Sequence, residues 1–184
     1  DRGIMLKHII LALGSIAIMS AASVSTAKAA DPENTIVMEV SSGGNVVIEL
    51  LPDIAPNHVA QIKKLTREGF YDGLIFHRVI EGFMAQGGDP TGTGTGGSKE
   101  PDLKAEFSDY NFGRGVVGMA RSNDPNSANS QFYICFDDCS FLNGQYTVWG
   151  KVTEGMEFVD KLAKGEPPAN PDKIVFMKVK ADIK

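Results

Sequence analysis

The stretch Phe76-His77-Arg78-Val79-Ile80-Glu81-Gly82-Phe83-Met84-Ala85-Gln86-Gly87-Gly88-Asp89 decides how the rest of the sequence is interpreted. It places one guanidinium, that of Arg78, and one carboxamide, that of Gln86, close to two large apolar side chains. In a strand, successive side chains point to opposite faces, and Gly82 interrupts the strand so that later side chains can be redirected beside Arg78. This mixture suits an apolar ligand with one polar bond. A half-buried strand with a solvated Arg78 is the simpler alternative.

The flanking sequence predicts many short β-strands. Apolar and polar residues alternate across residues 35–50 on both sides of Ser42-Gly43-Gly44-Asn45, which is the pattern of a β-hairpin. Further alternating segments are separated by Gly- and Asn-rich turns. They cover residues 74–80, 83–86, 116–120, 131–136, 146–152 and Ile174–Val179.

Two amphipathic helices interrupt these strands. The first begins at Pro56 and ends before Gly69, with apolar residues at helical spacing between them. The second is expected at about residues 154–164, with Thr153 as its N-cap and Gly165 at its end. Many short strands and only two helices predict an all-β barrel or sandwich.

The N-terminal segment differs from the rest of the chain. Lys7 precedes an apolar run at residues 9–19, and Ala27-Lys28-Ala29 follows, which is typical of a cleavable secretory signal peptide. A retained membrane anchor is the alternative, but the run is shorter than the roughly 20 residues that span a bilayer. We therefore expect an extension and signal peptide at residues 1–29 and one domain at 30–184. The protein is expected to be exported, periplasmic or secreted, without stable membrane association after cleavage.

Composition and spacing argue against several functional classes. The 184 residues carry 18 Lys and Arg against 23 Asp and Glu, and no basic block indicates nucleic-acid binding. The glycines of residues 92–97 have the spacing of a dinucleotide fingerprint, but Pro101 stands where the phosphate-binding helix would begin. Nucleic acid and nucleotides are therefore not expected partners.

The histidines and cysteines are too scattered to form a metal site, which needs three or four converging ligands, so no metal is expected. No Gly-x-Ser-x-Gly segment indicates a hydrolase. His77 is predicted to be a core histidine with satisfied hydrogen bonds. In an oxidising compartment Cys135 and Cys139 could form a disulfide. Two separate thiols are favoured, because one residue falls in a predicted strand and the other in the next turn.

Three blocks together resemble the signature of the cyclophilins, the peptidyl-prolyl cis-trans isomerases. Residues 76–89 form the first block. Gly118-Met119-Ala120-Arg121 and Asn129-Ser130-Gln131-Phe132-Tyr133-Ile134 form the second, and residues 141–150 form the third. Each block alone would be an ordinary strand, but the order, the spacing and the diverse chemistry identify the chain as similar to an exported, periplasmic-like cyclophilin.

The resemblance covers about residue 35 to the C-terminus and implies a fold and an activity. The fold would be a closed eight-stranded antiparallel β-barrel, capped by one helix at each open end. The activity would be cofactor-independent isomerisation of X–Pro bonds by a monomer, assisting the folding of exported proteins. A peptide-binding or chaperone module and an export-linked hydrolase are the alternatives. The first would need only the pocket, and the second lacks a nucleophile.

The resemblance also implies roles for individual residues. Three residues would be catalytic. Arg78 would donate a hydrogen bond to the proline nitrogen, and Phe83 would line the apolar slot that holds the proline ring. Gln86 would hydrogen-bond the substrate carbonyl or orient Arg78. The substrate-binding residues would be Met84, Gly94, Ala120, Arg121, Gln131, Tyr133, Phe141, Leu142 and Tyr146.

Four residues depart from the usual family pattern: Arg121, Tyr133, Phe141 and Tyr146 stand where many members have Asn, Phe, Trp and His. These departures affect the expected inhibitor affinity more than the expected activity. The predicted partners are proline-containing segments of unfolded or folding proteins. Ciclosporin-like inhibitors are expected to bind with weakened affinity.

Overall fold

Eight strands and two α-helices build the structure, a computed structural model that describes residues 28–184. The strands are β1 (Thr35–Val40), β2 (Gly44–Leu50), β3 (Arg78–Ile80), β4 (Met84–Gly87), β5 (Val116–Met119), β6 (Phe132–Cys135), β7 (Val148–Glu154) and β8 (Ile174–Val179). The helices are α1 (Pro56–Arg67) and α2 (Met156–Asp160). Within this range, neither helix has the length and apolarity needed to cross a membrane. The predicted signal peptide lies almost entirely outside the described residues.

All strand pairs are antiparallel and form one curled sheet in the order β3-β4-β6-β5-β7-β2-β1-β8. The two edges of the sheet are joined by an isolated bridge between Ile75 and Lys173. The backbone N–H groups of Gly73 and Phe76 add bonds to the carbonyl oxygens of Ile174 and Asp172. The predicted eight-stranded antiparallel architecture with two helices is confirmed, and its closure runs through these bridges rather than through a full ladder.

The predicted β1–β2 hairpin illustrates how the sequence pattern becomes a core. Its register places Ile36 opposite Ile48 and Met38 opposite Val46. All four side chains are fully buried, whereas Glu49, the residue after Ile48, is exposed. The two-residue period therefore directs one face of the sheet into the barrel interior.

Helix α1 lies where it was predicted, but its N-terminus is capped from a distant loop. Ala55 at the N-cap position has no side chain that can accept a hydrogen bond. The Glu106 carboxylate accepts the backbone N–H groups of Asn57 and His58, each at 3.0 Å. It thereby satisfies two of the donors that a helix start leaves open and places a negative charge at the positive end of the helix dipole.

The second predicted helix is much shorter than expected. Thr153 belongs to β7, so it is not the cap, and Gly155 with a φ of 85° precedes α2 instead. The helix ends at Asp160, and the backbone N–H of Ala163, which a longer helix would use, donates to the Asp172 carboxylate at 2.8 Å. The prediction of residues 154–164 was wrong because this long-range bond replaces the helical ladder.

A second cluster of buried side chains lies outside the barrel interior, between β4, β5, β6 and β7. Its members are Met84, Phe112, Val116, Tyr133, Cys135, Cys139 and Val148. Cys135 and Cys139 are both buried free thiols, as the sequence favoured. Because this cluster includes Met84 and Tyr133, it supports the cavity described next.

Candidate active site

A cavity of about 640 Å³ opens beside β3, β4 and β6. Most of the residues predicted for a substrate site line it. They are Arg78, Phe83, Met84, Gln86, Gly94, Ala120, Arg121, Tyr133, Leu142 and Tyr146. The structure therefore brings together side chains from all three sequence blocks.

Two of the predicted residues lie outside this lining. Gln131 borders the neighbouring groove, which also contains Gly96, Ser122 and Asn129. Phe141 is 61% exposed, and its ring packs against that of Phe83 with centroids 5.3 Å apart. Gln131 thus belongs to the neighbouring groove, whereas Phe141 packs beside the cavity against one of its lining residues.

Arg78 enters the cavity from β3 because strand alternation turns it away from the core. Its neighbour Val79 is buried, and Arg78 itself is exposed. The β3–β4 register places Gln86 directly opposite Arg78. The Nη1 group of Arg78 donates to Gln86 Oε1 at 3.5 Å, and its Nε group donates to the Glu166 carboxylate at 2.8 Å.

A chain of carboxamides continues from Arg78. Because Gln86 Oε1 accepts from the guanidinium, its Nε2 group is the donor to Gln131 Oε1, at 3.0 Å. Gln131 Nε2 in turn donates to the backbone carbonyls of Gly94 at 3.1 Å and Gly96 at 2.8 Å. The orientation of each amide is thereby fixed by the preceding one. Gln86 is held in the position that orients Arg78.

Asp89 holds the Gly-rich loop, residues 91–97, which contains the backbone carbonyls that accept from Gln131. Its buried carboxylate accepts the backbone N–H groups of Thr91 at 2.8 Å, Gly94 at 2.6 Å and Gly96 at 3.1 Å, and also the Thr91 hydroxyl. Burial alone would raise the pKa of Asp89, but these hydrogen bonds outweigh burial and lower the pKa to about 2. The last residue of the first sequence block is therefore the anchor of the loop.

The apolar part of the cavity, the apolar slot, is formed by Phe83, Met84, Tyr133 and Leu142. Tyr133 is 4% exposed and stacks on Phe112 with ring centroids 5.8 Å apart. Burial raises the pKa of the Tyr133 hydroxyl, which stays protonated and has no hydrogen-bond partner among residues 28–184. Gly118 is required beside it, since a Cβ there would lie 2.5 Å from the hydroxyl oxygen.

Arg121, which also lines the cavity, is held by backbone carbonyls. Its Nε and Nη2 groups donate to the backbone carbonyl of Gln145 at 3.0 and 2.7 Å, and Nη1 donates to that of Ser122 at 2.9 Å. The guanidinium also lies 4.6 Å from the centroid of the Tyr146 ring. These contacts organise the rim, so that Arg121 is already occupied whereas Arg78 faces the apolar slot.

Sequence reasoning missed five residues of the lining: His77, Gly92, Thr93, Glu166 and Pro167. His77 was predicted to be buried and satisfied. It is buried, but neither ring nitrogen has a hydrogen-bond partner within the described chain, so the second half of that prediction was wrong. Burial lowers the pKa of His77. Glu166 lies 88 residues after Arg78, and nothing in the local sequence connects them.

Comparisons with known proteins identify the family of the chain. Residues 35–179 match the family described as cyclophilin type peptidyl-prolyl cis-trans isomerase/CLD. A probable peptidyl-prolyl cis-trans isomerase of Brucella suis is 55% identical over 190 residues, covering 95% of this chain and 96% of that protein. The chain belongs to the cyclophilin-type peptidyl-prolyl cis-trans isomerases, and that isomerisation is its activity.

Two solved structures share the fold. The cyclophilin AquaCyp293 from Hirschia baltica superposes with a TM-score of 0.77 at 35% identity, covering 84% of this chain and 76% of that one. A Cryptosporidium parvum cyclophilin-type isomerase, crystallised in the presence of the dipeptide Ala-Pro, gives a TM-score of 0.73 at 30% identity. That match covers 79% of this chain and 98% of the other.

Replacing Asp89 by Asn should destabilise the protein in a pH-dependent way. The variant loses charge-assisted bonds to the loop, at a cost of about 1.5–3 kcal/mol near pH 7. The folded-state pKa is about 2, below the ordinary value of 3.8, so the contribution of Asp89 is fully present above pH 3.8 and declines as the pH falls towards 2. Urea unfolding of parent and variant between pH 7 and pH 3 measures this difference.

The matched control is Asp53→Asn, which changes an exposed carboxylate and should leave the free energy of unfolding nearly unchanged. A gap between the parent and Asp89→Asn that is constant over the whole pH range would show that the charge of Asp89 does not hold the loop.

Proposed function

We propose that this isomerase acts on X–Pro bonds of exported proteins as they fold, with Arg78 as the donor that promotes rotation. The observation that carries the catalytic part is the placement of Arg78. Gln86 and Glu166 orient its guanidinium at the edge of an apolar slot. Neither of those two bonds uses Nη2, which leaves donors for a substrate.

The reaction needs no bond to be made or broken. An X–Pro amide crosses a barrier of about 18–20 kcal/mol, and spontaneous exchange takes on the order of tens to hundreds of seconds. In the twisted transition state the proline nitrogen becomes pyramidal, and its lone pair, which the planar amide delocalises into the carbonyl, becomes localised on nitrogen. An N–H group of Arg78 aimed at that nitrogen therefore stabilises the transition state more than either planar state.

The apolar slot supplies the second contribution. A proline ring would fit against Phe83, Met84 and Leu142, with Tyr133 as the floor. Removing water from the amide strengthens its interaction with Arg78 and withdraws the hydration that favours the planar form. The Cryptosporidium relative crystallised in the presence of Ala-Pro supports a proline-containing ligand for this slot.

The remaining predicted residues would contact the peptide around the proline. Gln86, already held by its amide chain, would bond the substrate carbonyl with any donor capacity that Gln131 leaves. Ala120 and Arg121 would meet the peptide backbone on one side of the slot, with Gly94 on the other. Phe141 and Tyr146 would form the rim, so specificity is expected to reside outside the slot itself.

Export is supported by the segment at residues 1–29. A basic residue, a short apolar run and an Ala-x-Ala triplet are the features that signal peptidases recognise. The similarity to the Brucella protein extends into this segment, since it covers 95% of the chain. Prolyl isomerisation is slow enough to limit folding, which gives an isomerase in that compartment a role.

Arg78→Ala is expected to lower kcat/KM for an X–Pro peptide by roughly 10²–10³-fold, as the loss of an oxyanion-type donor does. Thermal stability should change little, because the side chain is exposed. Arg78→Lys should restore activity only in part, since a point charge replaces a planar fork. A protease-coupled assay measures turnover and also separates an isomerase from a binding-only module. Parental turnover by Arg78→Ala would refute this mechanism.

The mature protein is expected to begin near Ala30 or Asp31. Expressing the full chain in a Gram-negative host, fractionating the cells and sequencing the N-terminus of the exported form test this. Replacing Ala27 and Ala29 by bulky residues is the matched control, because cleavage requires small residues there. An intact N-terminus in the membrane fraction of the unmodified chain would instead identify an anchor.

Ciclosporin should bind this protein more weakly than it binds relatives with tryptophan at the rim. Phe141 offers no indole N–H to a drug carbonyl, and one such bond contributes about 0.5–1.5 kcal/mol. Phe141→Trp should therefore tighten binding and add a fluorescence signal. Trp149 is fully buried against Phe132 and should respond weakly. Equal inhibition of parent and variant would show that position 141 does not contact the drug.

A further inference from the structure

Glu166 provides the only carboxylate among the described residues that line the cavity. Its Oε1 atom accepts a hydrogen bond from Arg78 Nε at 2.8 Å, and the two side chains are 55% and 44% exposed. Ion pairs this exposed contribute little to stability. The contact is therefore better explained by what it does to Arg78 than by what it adds to the fold.

The backbone that carries Glu166 is fixed beside β3. Gly165 forms a bridge with Val79 through two hydrogen bonds, Gly165 N to Val79 O at 2.8 Å and Val79 N to Gly165 O at 2.9 Å. Gly165 has a φ of 145°, and a Cβ there would lie 2.6 Å from Pro168 Cα. Arg78 and Glu166 are each the chain neighbour of a bridged residue. Backbone pairing therefore sets their separation.

The far end of the same loop is also held. The Asp172 carboxylate accepts from the backbone N–H of Ala163 at 2.8 Å and from the Ser41 hydroxyl at 2.7 Å. The loop from Gly165 to Asp172 is thus tied to the sheet at both ends. A carboxylate delivered by such a loop can hold a guanidinium in one orientation at a small cost in entropy.

We propose that Glu166 is a positioning residue for Arg78, an inference that rests on the catalytic role proposed for Arg78. Glu166 accepts from the Nε–H group of Arg78 and Gln86 accepts from one Nη1–H group. These two acceptors together fix the plane of the guanidinium. The Nη2 group, which neither contact uses, then stays available to the proline nitrogen. Without Glu166 the guanidinium rotates more freely, and a smaller fraction of it is correctly oriented.

A double-mutant cycle tests this inference. Glu166→Ala should lower kcat/KM by roughly three- to tenfold, mainly through kcat, because orientation and not substrate affinity is lost. Adding Glu166→Ala to Arg78→Ala should cause no further loss, since the carboxylate acts only through Arg78. Glu166→Gln keeps an acceptor oxygen and should recover to within about twofold of the parent. Glu157→Ala, at an exposed acid on α2, is the matched control and should behave like the parent.

Each alternative has its own result. If kcat/KM of Glu166→Ala equals that of the parent while kcat/KM of Arg78→Ala is low, the positioning role of Glu166 is overturned. The catalytic role of Arg78 then remains intact. A parental Arg78→Ala would refute the catalytic role first. Glu166→Ala could also lower kcat/KM in the Arg78→Ala background, or lower it by different factors for peptides with Lys and with Glu beside the proline. Either result would mean that Glu166 contacts the substrate directly, which also overturns the inference. Thermal unfolding of each variant shows whether the fold is retained.

Discussion

The pairing of Arg78 with Gln86 across β3 and β4 is the contact on which the site depends. Because the two residues are register partners, a shift of one residue would turn Arg78 into the core and direct Val79 towards the cavity. The same pairing fixes the amide of Gln86, and through it that of Gln131 and the carbonyls of the Gly-rich loop. One strand register thus determines both the donor and the wall that faces it.

The three charged side chains Arg78, Arg121 and Asp89 are each neutralised in a different way. Arg121 is held by backbone carbonyls, whereas Arg78 is balanced by one exposed carboxylate and faces an apolar slot. Asp89 is compensated by backbone N–H groups, and its charge therefore organises the loop without facing the cavity. Of the two arginines that line the cavity, Arg78 is therefore the one whose Nη2 group makes no hydrogen bond within residues 28–184.

Local sequence pattern predicted the parts of this structure that depend on neighbouring residues. The β1–β2 hairpin and α1 follow from alternation and helical spacing, and ten of the predicted site residues line one cavity because they belong to compact blocks. The errors occurred where contacts between residues distant in sequence determine the local structure. Helix α2 is short because Asp172 takes the N–H of Ala163, and Glu166 went unnoticed because only the bridge from Gly165 to Val79 brings it to Arg78.

Gly118 and Tyr133 face each other in the β5–β6 register, and the tyrosine hydroxyl occupies the space that a side chain at position 118 would need. The two positions therefore share one volume. Removing the hydroxyl alone would not free this volume, because a Cβ at position 118 would also lie 2.6 Å from Tyr133 Cζ and 2.7 Å from Phe112 Cε1. A larger residue at 118 therefore requires changes at both aromatic positions. The floor of the slot can thus change only when several side chains change together.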